Sequence, residues 1–176
     1  PAARRVVFAA VTACSSVSLQ EPTAAGNGLT WAVVATVNVD ANRKLTVFRA
    51  EGATPSAGAI TFDFGGVTQT SFIWCVVQYD VAGPEAQRKT VHVASDPSVG
   101  GTLDDALDSS ASRTLVFVTS ASTVVTRDAD FAQLAERSIG SNTQRLLTQH
   151  ATNQTTCTST SATQALGAVA LEVAAA

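Results

Sequence analysis

The stretch RKLTVFRAEGATPSAGAITFDFGG, Arg43–Gly66, decides the fold class. In Ala59–Phe64, Ile60, Phe62 and Phe64 fall on one side of an extended chain, and Thr61 and Asp63 fall on the other. This period of two belongs to a strand with one buried face. In Arg43–Ala50, Leu45 and Val47 share a face with Arg43 and Arg49 at its ends, while Lys44, Thr46 and Phe48 take the other. Between the two runs lie Gly, Pro and Ser, which turn a chain through a free φ, a fixed φ or a local side-chain hydrogen bond. The stretch contains no His and no Cys. It reads as two antiparallel strands of a wall, not as a piece of an active site.

The pattern recurs along the chain. Further strands are predicted at Arg5–Thr12, Gly28–Asn38, Phe72–Tyr79, Thr90–Ala94, Thr114–Thr119, Phe131–Glu136, Thr143–His150, Thr155–Ser161 and Gln164–Val173, with turn-forming residues between them. Phe72–Tyr79 is apolar at nearly every position, which predicts a central strand covered on both faces and places Trp74 in the core. Trp31 follows Leu29 at period two and is expected to point inward, whereas Tyr79 is the better candidate for a surface ring. Helical patterning is confined to LDDAL (Leu103–Leu107) and FAQLAER (Phe131–Arg137), and the latter, short and flanked by strand-like runs, reads as a strand. About ten strands with little helix predict an all-β, antiparallel two-sheet sandwich, jelly-roll-like in form. With 176 residues, no internal repeat and no linker, residues 1–176 are expected to form a single domain.

Charged residues make up 14% of the chain and hydrophobic ones 45%, so the polar surface comes from Ser, Thr, Asn and Gln. Such a surface has little charge repulsion to keep copies apart. The net charge of −3 and the isolated pairs Arg4–Arg5, Arg43–Lys44 and Arg88–Lys89 give no basic track for nucleic acid. No apolar run reaches the length of a membrane span. The opening PAARRVVFAAVTACSS has the order of a signal peptide, but its apolar part is short and alternating, so it reads as a strand. The chain has no Met, so either an initiator was removed ahead of Pro1 or the native chain begins earlier.

Few residues offer chemistry. Cys14, Cys75 and Cys157 are far apart and show no metal-ligand spacing. Cys75 reads as a small buried hydrophobe. A Cys14–Cys157 bridge stays open, although three cysteines without a framework fit a reducing cytoplasm. His92 alternates with Val91 and Val93 and reads as an exposed strand residue, and His150 reads as a surface turn at a strand end. No phosphate-binding loop and no GxSxG elbow is present. Asp104, Asp105 and Asp108 form the densest acidic cluster, which reads as a solvated loop, with calcium binding or glycan hydrolysis as the sharper alternatives. Asn153-Gln154-Thr155 matches a glycosylation sequon, which matters only in a secreted eukaryotic chain. No catalytic, cofactor-binding or metal residue is assigned, no cofactor is expected, and the chain is expected not to be an enzyme.

The segments GNGLTWAVVATV, RKLTVFRAEGATPSAGAITFDFGG, TSFIWCVVQYD and TSATQALGAVALEV together resemble the small β-sandwich, jelly-roll-like structural proteins of tailed-bacteriophage virions. The likeness covers Gly26–Tyr79 and Ala162–Val173. It departs at Gln78-Tyr79-Asp80-Val81, where the family has an acidic-Phe-Asp-Gly turn, and at Leu166-Gly167-Ala168, where it has Trp-Gly-Gly. The resemblance implies a non-enzymatic virion protein, assembled in the bacterial host cytoplasm and decorating or cementing the capsid, with a tail or fibre position as the next choice. It carries no catalytic residues. The expected partners are the major capsid protein or tail proteins and sister copies in a symmetric assembly, a homo-oligomer, with neither nucleic acid nor membrane. Contacts are expected at Val81–Ser112, at Gln20–Gly28 and at the termini. A carbohydrate-binding module for host attachment is the alternative, resting on analogy of fold.

Overall fold

The computed structural model describes residues 4–52, 56–81, 89–93, 98–102, 111–121, 125–139, 144–161 and 166–173. These residues are all-β, with no helix among them. In chain order the strands are β1 (Arg4–Cys14), β2 (Thr23–Gly26), β3 (Thr30–Asp40), β4 (Arg43–Gly52), β5 (Ile60–Asp63), β6 (Ser71–Val81) and β7 (Lys89–Val93). They continue as β8 (Ser98–Thr102), β9 (Arg113–Ser120), β10 (Val125–Thr126), β11 (Ala132–Ile139), β12 (Gln144–Thr152), β13 (Thr156–Ser161) and β14 (Leu166–Val173). The predicted antiparallel sandwich is present: a four-stranded sheet ordered β3-β4-β1-β6 faces a five-stranded sheet ordered β11-β12-β9-β14-β7. The strands outnumber the ten or so expected because β2, β8 and β10 come from segments too short or too rich in turn residues to announce themselves.

The main core lies between the two sheets. Val6, Phe8 and Ala10 of β1, Leu45 and Val47 of β4, Leu115 and Phe117 of β9, and Val169 and Leu171 of β14 meet there. The alternate residues of these strands are not left in water. Ala9, Val11 and Phe48 pack beneath the β2–β5 ribbon with Phe62 and Phe64. Val116, Val118, Ala168 and Ala170 form a second core with Val125 and Cys157 of the three-stranded sheet β10-β13-β8. This double burial explains why RVVFAAV, TLVFV and GAVALEV are nearly continuous apolar runs.

Small residues let the layers close. A Cβ on Gly167 would lie 2.7 Å from Cγ2 of Val39 and 3.0 Å from Cγ1 of Val37, so β14 approaches β3 as closely as a bare backbone allows. In β2, Gly26 has φ 119°, and a Cβ there would lie 2.1 Å from the carbonyl oxygen of Ala59. The same Gly26 oxygen accepts a hydrogen bond from Nε1 of Trp31 at 3.2 Å, fixing the half-buried indole beside the ribbon.

Three expectations are corrected by the topology. Phe72–Tyr79 is not a central strand: β6 is the outermost strand of its sheet, hydrogen-bonded to β1 alone among the described residues. Trp74 is accordingly 53% exposed instead of buried, while Tyr79, expected at the surface, is 8% exposed and belongs to the core. An all-apolar run is equally consistent with a doubly covered strand and with a strand that has one core face and one exposed apolar face. Here the second case holds. Phe131–Glu136, read as a strand, falls largely in β11, whereas Leu103–Leu107 lies outside the described residues.

Candidate docking surface

The two faces of β6 do different work. Ile73, Cys75, Val77 and Tyr79 point into the main core. Phe72 and Trp74 point outward, and their rings meet the ribbon, Phe64 to Phe72 at 5.8 Å and Phe62 to Trp74 at 6.4 Å between centroids. Phe48 carries the contact inward, its ring 6.0 Å from that of Phe62. The ribbon therefore props the exposed rings from below and leaves their outer sides in solvent.

Beside β6 runs β11, the outer strand of the opposite sheet. A cleft of about 590 Å³ opens between them, and its lining includes Phe72, Trp74, Leu134, Arg137, Ser138 and Ile139. The register between β11 and β12 shifts between Gln133 and Ala135, so Leu134 is the extra residue of a bulge. Bulges re-aim a side chain, and this one sets Leu134 into the cleft wall. Among the described residues, the large apolar side chains left exposed are Val17, Val33, Phe72, Trp74, Leu134 and Ile139. Four of these six line this cleft, so they form a patch and are not scattered.

Both ends of the cleft are fastened. At one end Ser71 Oγ donates to Gln144 Oε1 at 2.9 Å, where Gln144 stands opposite Ile139. At the other, Tyr79 Oη lies 3.0 Å from Nδ1 of His150, which stands opposite Ala132. Burial pushes the Tyr79 phenol up to about 12. Burial and, second, the charge of Arg113 hold His150 below its ordinary value. The phenol and Nδ1 share one hydrogen bond, whose direction is set by the imidazole tautomer. The Arg113 guanidinium carbon lies 5.7 Å from the centre of the Tyr79 ring, a cation–π distance. This group joins β6 to the opposite sheet.

The Gln144 contact extends into a buried relay. Gln144 Nε2 donates to Thr12 Oγ1 at 3.1 Å, and the Thr12 and Thr119 hydroxyl oxygens are 2.8 Å apart. Thr119 gives its own proton to the Arg145 carbonyl at 2.7 Å, so Thr12 must be the donor to Thr119. The protons thus run one way, from Ser71 through Gln144, Thr12 and Thr119 to Arg145 O.

The other residues singled out in the sequence do not gather. His150 lies in β12 and not in a surface turn. His92 lies in β7 opposite Ala168, with its side chain outside the described ones, and Asp104, Asp105 and Asp108 lie outside the described residues. All three cysteines are free, so Cys14 and Cys157 do not pair. Cys157 accepts from Gln149 Nε2 at 3.0 Å, and burial pushes its thiol up to about 12. Cys75 is 8% exposed, a small hydrophobe in the core. Asn153, at φ 56°, follows the end of β12, and its N–H donates to Ser112 O, just ahead of β9, at 3.0 Å. Among the described residues no three His, Cys, Asp or Glu side chains come together as ligands for a metal ion. None of the contact regions expected from the sequence, Val81–Ser112, Gln20–Gly28 and the termini, includes the residues that line the cleft. Its one signal was the pair Phe72 and Trp74 on a common face of a strand. No protein-family model, no curated protein and no solved structure matches this chain.

Proposed function

We propose that this chain is a non-enzymatic structural protein of a tailed-phage virion that works by contact, decorating or cementing the capsid surface, with a tail or fibre position as the alternative placement. The observation that carries the contact reading is the apolar cleft at the β6–β11 side, where most of the exposed large hydrophobic side chains converge. The virion is the reading of the sequence resemblance, supported by a charge-poor, β-rich chain with free thiols suited to a reducing cytoplasm. The mechanism is area buried against a repeating lattice, where many weak contacts add by avidity. Purified protein mixed with particles of the phage that encodes it should co-sediment with them in a fixed ratio. Protein that stays in the supernatant at every concentration refutes the virion role.

A carbohydrate-binding reading has one observation in its favour: two ring side chains, Phe72 and Trp74, exposed on the same face of one strand. Rings stack on sugar faces, but sugar hydroxyls also need polar partners. In this cleft the polar side chains of the lining are those of Arg137 and Ser138. A glycan array is the corresponding test, with Trp74→Ala abolishing any signal.

A further inference from the structure

We infer that the edge of β6, unpaired among the described residues, joins two copies of this chain, antiparallel, about a two-fold axis at Trp74. The inference rests on the reading of this side as a docking surface, and not on which particle carries it.

The edge of β6 is regular. β6 pairs with β1 without interruption from Arg4↔Val81 to Cys14↔Ser71. In such a ladder alternate residues turn their N–H and C=O groups away from the neighbour, so β6 presents a straight row of them on its outer side. Natural edges are blunted by charge, proline or bulges. Two other outer strands are blunted in this way: β11 carries the Leu134 bulge with Glu136 and Arg137, and β3 carries irregularities at Val33/Ala35 and Asn38/Asp40. Between Phe72 and Tyr79 there is no charge, no proline and no bulge.

A two-fold contact requires a self-complementary surface, and β6 supplies one. With the axis at Trp74, each Phe72 faces Val76 of the other copy, Ile73 faces Cys75, and Ser71 faces Val77. Both faces then pair apolar with apolar over the centre, and the two indoles meet at the axis as a cross-strand aromatic pair. Moving the axis to Cys75 sets Phe72 against Gln78, and moving it to Val76 sets Phe72 against Asp80. A two-fold normal to the sheets also keeps both five-stranded sheets on one side, so the approach that covers Trp74 covers Leu134 and Ile139.

Fully buried aromatic side chains cover about 150–250 Å² each, so Phe72 and Trp74, 44% and 53% exposed, leave on the order of 200 Å² per copy to be buried. Leu134, Ile139 and the newly paired backbone in both copies bring the total to about 1,000 Å², the lower bound for a specific interface. A sugar finds few polar side chains here, and an unrelated strand would not need the symmetric pattern of Phe72–Val76.

Sedimentation velocity of the full chain over a wide concentration range tests this. The wild type should reach a dimer. Trp74→Lys should raise the dimer dissociation constant at least about a hundredfold, the loss expected of a central aromatic anchor. Its far-UV spectrum should be unchanged. If lysine disturbs the fold, Trp74→Thr, which keeps β propensity, should dissociate the dimer as well. Val33→Lys, at a side chain 45% exposed on the opposite outer strand, should leave the dimer intact. The double variant Phe72→Cys/Val76→Cys should give a disulfide-linked dimer under mild oxidation. A wild type that stays monomeric at its highest soluble concentration overturns the inference, as does a dimer broken by Val33→Lys and not by Trp74→Lys. A glycan signal that depends on Trp74 reassigns the edge to sugar and overturns it too. A dimer that ignores phage particles supports this inference and removes the virion role, whereas a monomer that co-sediments with particles does the reverse.

Discussion

Thr12 stands at the point where the buried polar relay crosses between the sheets. It takes a proton from Gln144 and gives one to Thr119, and both Thr12 and Thr119 are fully buried. Removing its hydroxyl at constant shape orphans groups that have no water to turn to. Thr12→Val should therefore lower stability by about 1–3 kcal/mol, the cost of a buried polar group left unpaired. Chemical denaturation checks this through the midpoint, with an unchanged slope showing that the fold is retained. Nothing in the sequence marked this relay. Thr12 reads as an ordinary strand residue, and its partners are 107 and 132 residues away along the chain.

At the scale of an element, β14 shows how closely one strand is fitted to the opposite sheet. Gly167 lies in an extended strand, so its role is space and not conformational freedom. The side chains it would strike belong to Val37 and Val39, 0% and 2% exposed, and β-branched residues cannot swing aside cheaply. Gly167→Ala should cost about 1–3 kcal/mol through overpacking. It should do so without changing the secondary structure, and an unaffected melting temperature would show that the sheets can separate locally. β14 and β6 differ in their place in the sheets. Both are apolar runs in the sequence. β14 lies between β9 and β7 and is buried at every residue, while β6 lies at an edge and exposes every second residue over its first half.

For the molecule as a whole, three buried or half-buried titratable groups set a pH window. Tyr79 and Cys157 have folded values near 12, above their ordinary 10.0 and 9.0, so the folded state holds their protons longer than the unfolded chain does. Their contribution is complete below about pH 9 and is lost as the pH rises towards 12. His150 is shifted down from 6.5, so its contribution is present above that pH and is lost as the pH falls through the folded value. Stability should therefore be flat between about 6.5 and 9 and fall on both sides. Denaturation midpoints against pH check this, and Tyr79→Phe should soften the loss above pH 10. Stability that rises steadily through pH 11 would contradict the assignment.

The residue order alone determined the all-β class, the antiparallel sandwich and most strand positions. Alternation, turn chemistry and β-branched content act within a few residues, so Ile60, Phe62 and Phe64 announce their common face wherever the strand ends up. Which strands lie in the middle, which lie at an edge, and what covers each outer face were decided only when the sheets assembled. Strand order depends on contacts between distant segments, and a period of two does not record its neighbours. That is why Trp74 reads as core in the chain and stands at the rim of a cleft in the fold, and why Tyr79 and His150, 71 residues apart, meet.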